Sequence, residues 1–227
     1  MINHCVRTVR LFLVVASFSP ILGTGMAQTL QHRAEAEDKA LGALSSALEN
    51  VKRQAVVEYT GSCFKPSVII APTIRLDISS VHDVDAAATL QRLLAKDRRF
   101  KNISESDGIF TIAQAGIPQD FLNMHIREIH LTEKQQYDPQ LAVFALFDIP
   151  EVQEYMTAHR ISVENSFGGF VSGPIAGNPH LNPVIENTTV MGVIKTILQT
   201  FSTNTHLAVY RECSASDGRR IIAITFK

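Results

Sequence analysis

The hydrophobic positions after residue 30 follow a helical period. Leu41, Leu44, Leu48, Val51 and Ala55 recur at steps of three and four residues, with charged side chains between them. Because this spacing places the leucines on one helix face, the pattern predicts a helix over residues 34–57, within an N-terminal helical segment of residues 28–60. The apolar stripe is narrow, and it could either cover a sheet or pair with another chain.

A strand, a helix and a hairpin are predicted in the next segment, residues 61–116. Residues 74–78 alternate apolar and polar side chains like a half-buried strand, and Asp83 or Asp85 can cap the helix that follows. Asp107-Gly108 between two extended runs predicts a tight hairpin, because a type I′ turn needs positive φ at its centre. We therefore predict a first βαββ unit here.

The last segment, residues 184–227, repeats that order with a short strand, a cap rich in Thr, a helix and two strands. The two hairpin tips are Ser-Glu-Ser-Asp-Gly and Ser-Ala-Ser-Asp-Gly, and Leu90-x-x-Leu93-Leu94 matches Ile194-x-x-Ile197-Leu198. Two matches in the same order favour a duplicated βαββ module.

The middle segment, residues 117–165, predicts a strand at residues 124–131 and a helix over residues 140–159. Pro150 either kinks this helix or starts a second one. Residues 166–183 are rich in Gly, Pro and Asn and are interpreted as an exposed loop. The whole pattern predicts an α+β protein, with an N-terminal helix followed by two or three βαββ-type units that have small antiparallel sheets.

The first 27 residues have the order typical of a secretory signal peptide. Arg7 and Arg10 precede a short apolar run, and small residues precede the predicted cleavage site after Ala27. A membrane anchor would need roughly 20 apolar residues, and Pro20 interrupts the run well before that length. We expect export to the periplasm or the extracellular space, with no membrane span in the mature chain.

Removal of this leader changes both the charge and the cysteine count. Two arginines leave with it, so 21 basic and 22 acidic residues become 19 and 22. Arg98-Arg99 and Arg219-Arg220 are isolated pairs, interpreted as solvated turn residues, and no nucleic-acid partner is predicted. Only Cys63 and Cys213 remain, and in an oxidising compartment they predict one disulfide, worth roughly 5 kcal/mol in the chain-entropy model. Two unrelated buried thiols are the alternative.

Neither a metal site nor a catalytic motif is predicted. His125 and His130 are five residues apart on a predicted strand, so their side chains should face opposite sides. The acids after His82 are explained by helix capping. The sequence contains neither His-Glu-x-x-His nor Gly-x-Ser-x-Gly. No catalytic, metal-binding or cofactor-binding residue is therefore proposed, and no cofactor is expected.

Three features occur together in the two units: a short strand before an Asp or Thr cap, the Leu-x-x-Leu-Leu helix, and the hairpin that ends in Gly108-Ile-Phe-Thr-Ile112. With these features, residues 74–113 and 184–226 resemble the small βαββ modules at the N-termini of secretins and TonB-dependent receptors. In that family such modules act in periplasmic docking or signalling, so the resemblance implies a protein partner and no catalytic residues. The resemblance covers less than half of the predicted mature chain, and neither a secretin pore region nor a receptor barrel is predicted.

Two functional hypotheses follow. The first is an exported, non-catalytic binding or envelope-assembly protein that holds a protein partner, either an envelope component or a second copy, through a sheet edge or the Gly-rich loop. The second is a secreted hydrolase or small-ligand-binding protein with a site between the two units, formed by groups such as His82, His180 and Asp217. Convergence of polar groups in a cleft would favour the hydrolase or ligand-binding hypothesis. An uncovered strand edge would favour the hypothesis of a protein partner.

Overall fold

The computed structural model describes residues 21–64, 68–70, 74–77, 86–100, 102–164 and 177–227. Its helices are α1 (Ile21–Asn50), α2 (Ala86–Leu94), α3 (Glu133–Gln136), α4 (Pro139–Phe147), α5 (Pro150–Ala158) and α6 (Val190–Thr200). Its strands are β1 (Gln54–Thr60), β2 (Ser62–Phe64), β3 (Val68–Ile70), β4 (Asn102–Ser106), β5 (Ile109–Ala113), β6 (His125–His130), β7 (Ile161–Val163), β8 (Val184–Thr189), β9 (Leu207–Ser214) and β10 (Arg220–Phe226).

A six-stranded mixed sheet with the order β4-β5-β1-β9-β10-β7 forms the centre of the fold. Strands β5 and β9 both run parallel to β1, and the hairpins β4-β5 and β9-β10 extend the sheet on either side. The prediction of an α+β fold with an N-terminal helix is confirmed. The two predicted hairpins share one sheet, and the two-stranded sheets β2-β3 and β6-β8 are separate from it.

The central sheet is covered on both faces. Helices α1 and α2 pack on one face, and α4, α5 and α6 pack on the other. Neighbouring residues of β1 enter opposite cores, with Val56 in one and Ala55 and Val57 in the other, because successive side chains of a strand point to opposite faces. Strand β1 is therefore buried almost throughout.

The predicted helix over residues 34–57 extends too far, because α1 ends at Asn50 and residues 54–60 form the central strand β1. The helix stops in a Schellman motif. Lys52 has φ of 53°, its N–H donates to the Glu49 carbonyl, and the Arg53 N–H donates to that of Leu48. Glycine is the usual residue at this position, so a lysine there carries no sequence signal for the end of the helix.

In the first predicted unit the helix and the hairpin are confirmed as α2 and β4-β5, with Asp107 and Gly108 at φ of 57° and 77°. The first strand was predicted in the wrong place. Residues 74–77 belong to no strand, and the strand that joins the β4-β5 hairpin is β1. Asp83 and Asp85 lie outside the described residues.

The middle segment contains the predicted strand as β6, and Pro150 starts a second helix, α5, directly after α4. Proline is well tolerated at a first helical position because its missing N–H has no partner there. The segment also contributes β7, which pairs with β10 at the edge of the central sheet. Of the predicted loop at residues 166–183, the structure describes residues 177–183.

The last unit contains its predicted strands and helix, but its first strand, β8, pairs with β6 outside the central sheet. The Thr189 side chain caps α6 by accepting from the Gly192 N–H at 3.0 Å. The strands that follow the two helices also run in opposite directions. β9, after α6, is parallel to β1. β4, after α2, is antiparallel to β5, which is itself parallel to β1. The duplication stays a prediction.

The predicted disulfide is confirmed. Cys63 of β2 is bonded to Cys213 of β9, and their Cα atoms are 5.3 Å apart. With Ile69, Ile221 and Ala223 they form a small apolar cluster that attaches the β2-β3 hairpin to the central sheet. Within the described part of the chain, no helix has the length and hydrophobicity needed to span a bilayer. The signal peptide stays a prediction, and residues 1–20 lie outside the described part.

Candidate functional site

A groove of about 510 Å³ lies where α1 passes the last residues of β10. One wall is the polar side of α1, and the floor is the end of β10. Its lining residues are Ala34, Glu35, Glu37, Asp38, Leu41, Gln140, Arg211, Thr225, Phe226 and Lys227.

The groove follows a part of β10 whose outer side pairs with none of the described strands. Strand β7 is only three residues long and pairs with Arg220–Ile222, after which the Glu164 N–H donates to the Ile222 carbonyl. Two residues further on, the Gln140 side chain donates to the Ile224 carbonyl at 2.9 Å. In the part of the chain that the structure describes, no strand pairs with the outer edge of residues 223–226.

A buried charged cluster lies at the inner end of this groove. Arg211 of β9 is 3.4 Å from carboxylate oxygens of both Glu37 on α1 and Glu164 after β7. The Tyr59 hydroxyl donates to Glu37. Burial raises the pKa of Tyr59, and the negative charge of Glu37 raises it further. Since all these side chains are largely buried, the cluster fixes α1 against β1 and β9.

The mouth of the groove carries charges of both signs. Lys227 pairs with Asp38 of α1, and the Asp38 side chain is exposed. Glu35 lies on the same wall. A ligand here would meet cations from the sheet and carboxylates from α1, a mixture that suits a polar polypeptide better than an ion of one sign.

On the opposite face of the sheet, a second charged network surrounds Arg220. Its guanidinium donates to Glu212 at 2.8 and 3.0 Å and to Asp120 at 2.5 and 2.9 Å. The Tyr210 hydroxyl donates to Glu212, and that of Tyr155 donates to Asp120. The hydrogen bond from Arg220 is the main reason that the pKa of Asp120 is lowered to about 2. The members of this network satisfy one another, which indicates a structural role.

The interpretation of Arg98-Arg99 and Arg219-Arg220 as solvated turn residues is half wrong. Arg98 and Arg219 are exposed. In contrast, Arg220 is 16% exposed within its network, and Arg99 is paired with the buried Asp97. Sequence alone could not reveal this difference. Arg220 pairs with carboxylates from elsewhere in the fold, Asp120 and Glu212. The partner of Arg99, Asp97, is close in sequence, but its burial is known only from the structure.

Glu58 is a further buried acid next to this network. It lies beside Tyr210 on the neighbouring strand, and it accepts a hydrogen bond of 2.5 Å from Gln119. Burial raises the pKa of Glu58, against the opposing effects of the Gln119 hydrogen bond and the charge of Lys195.

The polar groups suggested for a small-molecule site are not joined by any contact in the described residues. His180 stacks on Tyr137, with ring centroids 5.3 Å apart. Asp217 pairs with Arg219 in the β9-β10 turn. His82 lies outside the described residues. His125 binds Asn187 and His130 lies near Glu128, and the described residues contain no cluster of three potential metal ligands.

Sequence reasoning also missed the groove. Gln140 and Arg211 stand in a helix and a strand with no motif around them, and their roles arise from contacts with residues 84 and 174 positions away. The groove exists because the three-residue β7 cannot cover the seven-residue β10, and this difference in length is known only from the fold. Comparison of the chain with protein-family models, with curated proteins and with solved structures finds no match.

Proposed function

We propose that the protein is an exported, non-catalytic interaction module that holds an extended segment of a protein partner along the outer edge of β10. The observation that carries this proposal is the edge at residues 223–226, which pairs with no other described strand and lies inside a groove rather than on an open surface. Addition of a strand to such an edge is a recurring way of binding peptides.

The hydrogen-bonding direction along β10 supports the proposal. Lys227 exchanges backbone hydrogen bonds with Leu207 of β9. Because successive residues of a strand direct their N–H and C=O groups to opposite sides, Phe226 and Ile224 direct theirs outward. Gln140 occupies the Ile224 carbonyl, which leaves about three backbone groups for a partner strand.

These groups alone would bind weakly. About three hydrogen bonds at roughly 1 kcal/mol each give some 3 kcal/mol, which is less than millimolar binding requires. The remaining affinity must come from side-chain contacts with the wall formed by α1 and with the side chain of Thr225 in the groove. We therefore expect recognition of a segment with alternating side chains rather than of any extended peptide.

The location in the envelope rests on three supports. The leader has the order of a signal peptide, the Cys63–Cys213 bond suits an oxidising compartment, and the βαββ pattern resembles docking modules of envelope machines. Mass spectrometry of the protein recovered from outside the cytoplasm should give a mature chain that begins at Gln28. Recovery of the full-length chain from the cytoplasm, with Cys63 and Cys213 not bonded to each other, would contradict this part of the proposal.

The edge-binding part is tested with a random dodecapeptide library panned against the mature protein. Thr225→Trp fills the groove, whereas Thr225→Ser is the matched control that keeps it open. We expect peptides that bind the wild type and the Ser variant but not the Trp variant. In amide hydrogen exchange, the bound peptide should slow exchange at Phe226, which faces the groove, more than at residue 225, whose N–H faces β9.

Two results would overturn this proposal. One is equal binding of the selected peptides to the Trp and Ser variants. The other is peptide binding that protects the opposite sheet edge, Asn102–Ser106, and leaves Phe226 unchanged. A Trp variant that unfolds is recognised by its urea transition, and Thr225→Arg then replaces it.

A further inference from the structure

A second concave surface, about 610 Å³ in volume, lies at the end of α2, and four of its five lining residues are basic. They are Arg75, Lys96, Arg98 and Arg99, and the fifth is Asp97. The sequence offers only the Arg98-Arg99 pair, and the fold adds Arg75 from the segment at residues 74–77.

Asp97 is the residue that joins the two segments. Its carboxylate accepts from the backbone N–H of Arg75 at 3.2 Å and from that of Arg99 at 3.3 Å. The Arg99 guanidinium donates to both of its oxygens, at 2.7 Å for the Nε bond. Burial tends to raise the pKa of Asp97, but the hydrogen bonds from Arg99 and Arg75 outweigh it and the pKa is lowered. Asp97 therefore stays charged and keeps both segments in place.

The four cations divide into two kinds. Lys96 pairs with Asp77 at 2.9 Å, and Arg99 pairs with Asp97. Arg75 and Arg98 are exposed, and in the described part of the chain neither guanidinium has a carboxylate partner. The concave surface therefore presents two guanidinium groups without a carboxylate partner among the described residues, next to two cations that are paired.

The helix dipole explains only part of this arrangement. The carboxyl end of α2 carries a partial negative charge, which favours cations in and just after the last turn. Arg75 comes from a different segment and is brought to the same surface by Asp97. Two forked donors that face one cavity match the geometry of an oxyanion, since arginine binds phosphate through paired N–H groups.

We propose that this cavity binds a phosphate monoester group through Arg75 and Arg98, as a site separate from the groove beside β10. A phosphomonoester carries a charge of about −1.5 to −2 at neutral pH, and the cavity offers two unpaired positive charges to meet it. Arg99 and Asp97 act as positioning residues that keep the two forks at a fixed separation.

The test is a titration of the mature protein with glycerol 3-phosphate. Binding is measured by calorimetry and by the shifts of the NMR signals of the arginine Nε–H groups. Arg75→Gln with Arg98→Gln should weaken binding at least about tenfold, because two charge-assisted contacts are removed. The matched control is Arg219→Gln, which removes an exposed arginine from the other double-arginine turn and should leave the affinity within about twofold. The Nε–H signals of Arg75 and Arg98 should shift on binding.

Parallel titrations separate a soluble phosphomonoester from a membrane surface. Binding to vesicles of phosphatidylglycerol without any response to glycerol 3-phosphate would overturn the proposal in favour of a general anionic surface. Equal binding by the double variant and the wild type would also overturn it, as would an equal loss in Arg219→Gln. Both arginines of the double variant are exposed, so an unchanged urea transition confirms that the fold is intact.

Discussion

The two double-arginine turns show how the same residues can serve different purposes. In Asp97-Arg98-Arg99 the carboxylate is buried and forms an ion pair with Arg99, whereas Arg98 is exposed to solvent. In Asp217-Gly218-Arg219-Arg220 the carboxylate is exposed and pairs with Arg219, while Arg220 turns inward to Glu212. The depth of the carboxylate, rather than the arginine itself, decides which guanidinium becomes structural.

The network around Arg220 and the basic surface around Arg98 differ in how many of their guanidinium groups are paired with carboxylates. The network around Arg220 has every guanidinium nitrogen hydrogen-bonded to a carboxylate, so it has nothing left to offer a ligand. The surface around Arg98 keeps two guanidinium groups without carboxylate partners in the described residues. A charged cluster is thus informative about binding only after its internal pairs have been counted.

The largest predicted effect is that of Arg220→Ala. It leaves Glu212, whose side chain is 1% exposed, without its cationic partner. Loss of one partner of a buried ion pair costs about 3–5 kcal/mol, and we expect the free energy of unfolding in urea to fall by this amount. Arg219→Ala is the control, and it should cost less than about 1 kcal/mol because its ion pair is exposed.

A double substitution separates the charge effect from lost packing. Arg220→Met with Glu212→Leu removes both charges and keeps apolar volume, so its cost should be well below that of Arg220→Ala. If the double variant is as unstable as the single one, the network contributes through shape and not through charge.

Asp97→Ala should have the next largest effect. It removes the acceptor for two backbone N–H groups and for the Arg99 guanidinium. Leaving such groups without a partner costs about 1–3 kcal/mol, measurable in the same urea titration. Asp217→Ala, which removes the exposed counterpart in the other turn, should have little effect, and equal losses in the two variants would contradict the distinction between the turns.

The sequence predicted the elements whose signals are local. The β4-β5 turn was predictable from Asp107-Gly108, α2 and α6 from their apolar faces, and the disulfide from the two cysteines outside the predicted leader. These features depend on residues a few positions apart or, for the disulfide, on the number of cysteines. They were therefore visible without knowledge of the fold.

The missed features depend on tertiary contacts. Strand β1 is buried on both faces and therefore lacks the alternation that marks a half-buried strand, so its residues continued the helical pattern of α1. The groove depends on the length difference between β7 and β10, and the basic cavity depends on Asp97 drawing Arg75 beside Arg98. No pattern along the chain reports such contacts.

A smaller effect is expected in acid. The pKa of Asp120 is lowered to about 2 from 3.8, chiefly by the hydrogen bond from Arg220. Since the folded pKa lies below the unfolded one, the stabilisation by Asp120 is fully present above about pH 4 and is lost as the pH falls towards 2. Asp120→Asn should therefore flatten the pH dependence of thermal unfolding between these values. An unchanged slope would show that Asp120 is not held by Arg220 in solution.

The smallest effects should differ in sign between the two turns. Arg219 has an exposed carboxylate partner, so Arg219→Gln should destabilise slightly at low ionic strength. Among the described residues that line the cavity, Arg98 is accompanied by three cations and the already paired Asp97, so Arg98→Gln relieves repulsion and should stabilise slightly. Both shifts should stay within about 0.5 kcal/mol and vanish near 1 M salt, where the Debye length is about 3 Å. Thermal melts at both salt concentrations measure them. Because a binding surface holds like charges together at a cost to stability, a destabilising Arg98→Gln would mean that Arg98 already has a partner within the chain.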